Sequence, residues 1–113
     1  MILDFKQALD QCKRNKPQKT VVISAGDEDV LEAVFQAKKT GIIDPILIDS
    51  KDKIIESGNN KFDFDNVEII DENDKIAQCK LGMDLIRNNK ATILMKGLIS
   101  SDFLIDQYFQ EYR

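Results

Sequence analysis

The sequence predicts an α/β fold in which a mostly parallel sheet carries helices on both faces. Two observations lead to this prediction. Short apolar runs rich in β-branched residues alternate with longer segments whose apolar residues recur at helical spacing. The apolar runs are continuous, which is typical of strands that are buried on both faces of a parallel sheet. Because no internal repeat or linker interrupts this alternation, we expect residues 1–113 to form a single α/β domain.

The predicted elements of the first half are separated by clear signals. Asp4 begins a capping box, Pro17 ends the first helix, and Gly41 is well suited to follow the second. The first helix is indicated by four apolar residues at helical spacing, Ile2, Phe5, Leu9 and Cys12. In chain order we predict a first helix that includes these residues and ends before Pro17, a strand over 20–25, a helix over 27–39 and a strand over 45–48.

The second half continues the alternation. Residues 58–60 break a short helix, and either Asn73 or Asp74 caps the next long one. The predicted apolar face of that long helix consists of Ile76, Cys79, Met83 and Ile86. The predicted elements are a short helix over 53–57, a strand over 67–70, a helix over 74–86, a strand over 91–95 and a final helix over 103–112.

Composition excludes several classes of function. The chain has 16 Lys and Arg against 20 Asp and Glu, which argues against nucleic acid or a membrane surface as the main partner. It has no histidine, which excludes serine–histidine and cysteine–histidine nucleophiles and most zinc sites, and we expect no metal site. No apolar run approaches the ~18 residues that cross a bilayer. We expect Cys12 and Cys79 to be buried free thiols in a reducing cytoplasm.

In open parallel sheets, ligands bind beyond the carboxyl ends of the strands. The loop after the first predicted strand, residues 24–29, contains Asp27, Glu28 and Asp29 at a helix start. Acids in this position would repel phosphate but suit the positive end of the helix dipole. The favoured interpretation is therefore a capping role, and the alternative is contact with a thiol, an amine or a cation.

The loop after the last predicted strand has the parts of an anion site. Lys96 supplies a point charge at a strand end, and Gly97 permits close backbone approach to a ligand. Ser100 and Ser101 add hydroxyls at a helix N-terminus, where free N–H groups and the dipole also favour an anion. The alternative is that Lys96 faces solvent and that Ser101 only caps the helix.

Three segments carry a resemblance to a known family. Residues 21–34, 41–48 and 93–98, in this order and spacing, resemble the phosphate acetyltransferase and phosphate butyryltransferase family. The last segment is similar to the family's Met-Lys-Gly signature. The resemblance implies transfer of an acyl group between coenzyme A, a substrate rather than a bound cofactor, and inorganic phosphate. It also implies a two-domain fold similar to isocitrate and isopropylmalate dehydrogenases, with the site between the domains.

The same resemblance implies roles for individual residues. Lys96 and Gly97 would line the cleft near the acyl phosphate, Ser100 or Ser101 would donate to phosphate oxygens, and Asp102 would match the acid that follows them. The chain departs from the pattern further along, where Ile105 replaces an expected arginine. No catalytic residue is assigned.

Members of this family are much longer than 113 residues. We therefore expect the fold to be incomplete and the chain to correspond to the N-terminal part of such an enzyme. Two interpretations stay open: an acyltransferase fragment that works with a complementing second-domain chain, and a truncated remnant or anion-binding module without catalysis. An uncovered sheet edge or apolar face would also favour self-association.

Overall fold

The computed structural model of the protein describes residues 2–3 and 16–97, and it confirms the predicted α/β fold. Strands and helices alternate along the chain from residue 18 to residue 96. The elements are β1 (Ile2–Leu3), β2 (Gln18–Ile23), α1 (Glu28–Lys39), β3 (Ile43–Asp49), α2 (Lys51–Gly58), β4 (Glu68–Asp71), α3 (Lys75–Arg87) and β5 (Ile93–Lys96). Among these described residues, no helix has the length and apolar character needed to span a membrane.

The described strands form one sheet in the order β1-β5-β2-β3-β4, and every neighbouring pair is parallel. β5 therefore lies beside β2, although the two strands are far apart in sequence. Because all strands run in the same direction, their carboxyl ends meet along a single edge of the sheet, which we call the carboxyl edge. This edge collects the loops that follow β2, β3, β4 and β5.

The prediction that Ile2 belongs to the first helix is wrong. Ile2 and Leu3 pair in parallel with β5 as a short strand. Helical spacing describes one segment at a time and cannot reveal a partner strand far along the chain, so the pairing overrides the local pattern. The remainder of that predicted helix, and the final helix predicted over 103–112, lie outside the described residues.

Helices α1 and α2 cover one face of the sheet. Leu31 and Val34 of α1 and Ile54 of α2 are fully buried there. The loop between α2 and β4 is held to α1 by aromatic contacts, because the rings of Phe35 and Phe62 stack with centroids 4.8 Å apart. The buried strand residues of this face are Val22, Ile43, Leu47, Ile93 and Met95.

Helix α3 covers the opposite face, as predicted for a sheet with helices on both sides. The predicted apolar face of this helix is correct for Cys79 and Met83, which are buried, but wrong for Ile76, which is 44% exposed. Gln78 and Gly82 face the sheet instead. Gly82 allows this close packing, since a Cβ there would lie 2.9 Å from Ile23 Cδ1.

Helix ends follow the predicted signals. Asp27 caps α1 by accepting a hydrogen bond from the Val30 N–H at 3.1 Å. Asp74, rather than Asn73, caps α3 by accepting from the Ala77 N–H at 2.9 Å. Gly41 has φ +79° just beyond the end of α1, a conformation that favours glycine.

Cys79 is a buried free thiol, as predicted, whereas Cys12 lies outside the described residues. Burial raises the pKa of the Cys79 thiol to about 11, and the negative charge of Asp74 contributes in the same direction. The thiol therefore stays protonated at neutral pH.

The raised pKa and the burial of Cys79 predict an unreactive thiol. In a Cys12→Ser background at pH 8, we expect the native chain to react with a disulfide reagent at least about 100-fold more slowly than the unfolded chain, because little thiolate is present and access is blocked. The measurement is the rate of thionitrobenzoate release with and without denaturant. Equal rates would show that the thiol is open to solvent.

Candidate functional site

The predicted site begins at the carboxyl end of β5. Lys96 pairs with Ile23 of β2 and shares a face of the sheet with Leu94, the face that packs against α3. Its side chain is half-buried. Lys96 therefore lies at the rim of the sheet, on the α3 side.

Gly97 makes a close backbone contact directly after the strand. Its N–H donates to the Ile23 carbonyl at 2.7 Å. A Cβ on Gly97 would lie 2.3 Å from the Ser24 carbonyl oxygen, far inside normal contact distance. The chain's own backbone thus requires glycine here, which the sequence-based interpretation of Gly97 as a ligand contact did not include.

The other predicted members of the anion site are Ser100, Ser101 and Asp102. They lie outside the described residues, and so does Ile105. Their approach to Lys96 stays a prediction.

The acidic loop after β2 serves the start of α1. Asp27 caps the helix, which confirms the favoured interpretation for this residue. Glu28 forms an ion pair with Lys61 across the surface. The hydrogen bond that Lys61 donates to Glu28, together with the negative charge of Glu28, raises the pKa of Lys61 above its usual value. Within residues 2–3 and 16–97, no group of acids is arranged to hold a metal ion.

A buried hydrogen-bond network lies beneath the same edge. Gln78 Oε1 accepts from the Ser24 N–H at 3.0 Å and from Ser24 Oγ at 2.7 Å. Gln78 Nε2 donates to Asp49 Oδ1 at 3.2 Å and to the Glu72 carbonyl at 2.8 Å. Three consecutive strand-end loops, after β2, β3 and β4, are thereby joined through one side chain.

Asp49 is the acid at the centre of this network. It is 3% exposed, at the last position of β3. Besides Gln78, it accepts from the Gly26 N–H at 2.9 Å and from the Ser50 N–H at 2.8 Å. A buried carboxylate needs such donors to offset its lost hydration. Its side chain therefore organises the loops after β2 and β3.

Sequence reasoning missed both members of this pair. Asp49 directly follows the apolar run of β3, and an acid at that place in a parallel sheet is a detectable signal. Gln78 gives no comparable signal, because a polar residue next to Cys79 is typical of an exposed helix position.

Most other charges at the carboxyl edge are negative. Asp71, at the end of β4, accepts from the Lys51 N–H at 2.9 Å and so caps α2, where Ser50 makes no capping bond of its own. Carboxylates thus outnumber lysines at this edge, and tight anion binding by Lys96 needs further donors. Among the described residues, the acids of the strand-end loops and helix starts are Asp27, Glu28, Asp29, Asp49, Asp52, Asp71, Glu72 and Asp74.

A shallow open depression of about 310 Å³ lies elsewhere, on the side of the sheet that α1 covers. It includes residues from the last turn of α1, which faces away from the carboxyl edge in a parallel crossover. Neither Lys96 nor Gly97, the two predicted site residues within the described part of the chain, lines it. Its lining residues are Phe35, Lys38, Lys39, Lys61, Phe62, Asp63 and Asn66.

Comparison with known proteins agrees with the resemblance of the three segments. A family model described as "Phosphate acetyl/butaryl transferase" matches residues 4–103. The phosphate butyryltransferase of Clostridium acetobutylicum is 38% identical over 103 residues, which are 89% of this chain and 34% of that protein. The phosphate acetyltransferase of Thermotoga maritima is 28% identical over 108 residues, covering 95% of this chain and 36% of that protein.

The match is broad across this chain and partial across its relatives. The chain spans about a third of the length of the curated relatives it matches. The family model covers nearly all the described elements, from β2 through β5 and Gly97. The chain therefore belongs to the phosphate acetyl/butyryl transferase family.

Proposed function

We propose that this chain supplies part of the phosphate-binding side of an acyltransferase that moves an acyl group between coenzyme A and inorganic phosphate. The observation that carries the proposal is the position of Lys96 and Gly97. They lie at the carboxyl end of a parallel strand, where ligands bind in such sheets, and within the segment that matches the family.

The chemistry of the transfer suits a chain without histidine. The thiolate of coenzyme A attacks the carbonyl carbon of an acyl phosphate, a carbon–sulfur bond forms, and the carbon–oxygen bond to phosphate breaks. Phosphate leaves with the bonding electron pair. Because the substrate supplies the nucleophile, the protein has to hold the phosphate and stabilise negative charge on oxygen.

In this proposal Lys96 provides the charge in the described part of the site. Its ammonium attracts the phosphate dianion and stabilises the charge that develops as phosphate departs. The carboxylates around the edge oppose this attraction, so Lys96 has to act with further donors. Ser100 and Ser101 are proposed to supply them.

Binding without transfer is the second candidate role. The observation in its favour is that these 113 residues span about a third of the length of the relatives they match. Under this alternative, the chain holds phosphate or an acyl phosphate and does not catalyse exchange.

Replacing Lys96 with alanine tests the anion site. We expect Lys96→Ala to weaken the binding of inorganic phosphate about threefold to tenfold, because one ammonium contact is lost at a partly solvated site. Titration calorimetry at low ionic strength measures the change.

Lys90→Ala is the matched control, since Lys90 is exposed in the loop between α3 and β5, at the opposite end of β5. It removes the same charge and is expected to leave phosphate affinity nearly unchanged. If Lys96→Ala and the parent chain bind phosphate equally, Lys96 faces solvent and the proposed site is wrong.

Transfer by the isolated chain is a separate prediction. We expect the purified 113-residue chain to form no acyl phosphate from acetyl or butyryl coenzyme A and phosphate, because it spans only about a third of the length of the relatives it matches. Release of free coenzyme A thiol is the measurement. Turnover above the rate without protein would show that these residues hold a complete site.

A further inference from the structure

One peptide unit at the carboxyl edge is hydrogen-bonded on both of its sides. The Ser24 N–H donates to Gln78 Oε1 at 3.0 Å, and the Ile23 carbonyl accepts from the Gly97 N–H at 2.7 Å. These two groups belong to the same planar unit, so neither can rotate without the other. Gln78 and Gly97 are thus connected through the plane between Ile23 and Ser24.

Ser24 holds that plane in an unusual conformation. Its φ of +56° lies in the left-handed region, which non-glycine residues rarely adopt. This conformation ends β2 at Ile23, two residues before the predicted end. Gln78 Oε1 accepts from both the Ser24 N–H and Ser24 Oγ. Without that acceptor, a buried N–H and a buried hydroxyl lose their partner, and the strained conformation loses its support.

The amide of Gln78 is itself fixed in one orientation. Gln78 is 1% exposed, and its Nε2 donates to Asp49 Oδ1 and to the Glu72 carbonyl. Both of these partners are acceptors, so the nitrogen must face them and Oε1 must face Ser24. The loops after β3 and β4 therefore determine where the acceptor for Ser24 stands.

We propose that Gln78 is a positioning residue that sets the location of the Lys96–Gly97 turn for anion binding. It acts through the Ile23–Ser24 peptide, whose carbonyl holds the Gly97 N–H and whose strand pairs Ile23 with Lys96. Steric contact also restricts the position of Gly97, because the Ser24 carbonyl oxygen leaves no room for Gly97 to move toward it. The anion-binding part of this inference rests on the proposed function.

The first experiment measures hydrogen exchange of the Gly97 amide in the full 113-residue chain at pH 5. In Gln78→Leu, we expect this amide to exchange about tenfold faster than in the parent, after correction for the change in global stability. The amide of Leu47, in the middle of β3, reports global opening. A purely structural role for Gln78 would accelerate both amides by the same factor.

Two further variants make the test specific. Ser24→Ala removes the hydroxyl bond and keeps the N–H bond to Gln78, so Gly97 exchange is expected to change less than about threefold. Gln78→Glu keeps the acceptor oxygen, and at pH 5 its second oxygen, protonated beside Asp49, restores a donor. In Gln78→Glu, the Gly97 amide is therefore expected to exchange within about threefold of the parent rate. This variant also keeps the experiment informative if Gln78→Leu does not fold.

The second experiment measures inorganic phosphate affinity in the same variants. Gln78→Leu is expected to weaken phosphate binding by a factor similar to that of Lys96→Ala, and the double variant is expected to bind no more weakly than either single variant.

The exchange results decide the positioning role, whatever the phosphate result. The role is overturned if Gly97 exchange is unchanged in Gln78→Leu, or if it is equal in Gln78→Leu and Gln78→Glu. If the parent binds no phosphate while Gly97 exchange responds as expected, the proposed function fails and the positioning of the turn stands.

Discussion

The carboxyl edge depends on one buried amide. Gln78 makes four hydrogen bonds from α3, and its partners belong to the loops after three different strands. A buried polar network of this kind stabilises a structure when every member has a partner, and it is costly when one is removed. Here the donors and acceptors match, so the loops that would form a ligand site are held in a single arrangement. The turn after β5 joins this arrangement through the Ile23 carbonyl.

Much of the fold follows from local patterns that the sequence displays. Continuous apolar runs predicted strands over 20–25, 45–48 and 91–95, and the structure has strands at 18–23, 43–49 and 93–96. Asp27, Asp74 and Gly41 act where helix-end chemistry placed them. The failures have a common cause. Ile2 joins a strand and Ile76 turns outward because partners distant in sequence decide their positions, and spacing within one segment carries no information about such partners.

In the candidate site, too, features set by local sequence could be predicted, and features set by residues distant in sequence could not. Lys96 was predicted from its place at a strand end, and the structure puts it at the carboxyl edge. The reason for glycine at 97 could not be predicted, because it is the carbonyl of Ser24, a residue far earlier in the chain. Gln78 resembled an ordinary surface position until the fold placed Ser24 and Asp49 beside it. Hydrogen bonds between distant segments are a property of the folded chain.

Family membership and the geometry of the edge lead to one central claim, that the turn at Lys96 and Gly97 holds phosphate. Phosphate titration followed by amide chemical shifts tests this claim most directly. We expect the largest shifts on Gly97 and its neighbours Ser24 and Lys96. Shifts concentrated on Lys38, Lys39 and Lys61 around the depression beside α1, with Gly97 unmoved, would contradict it.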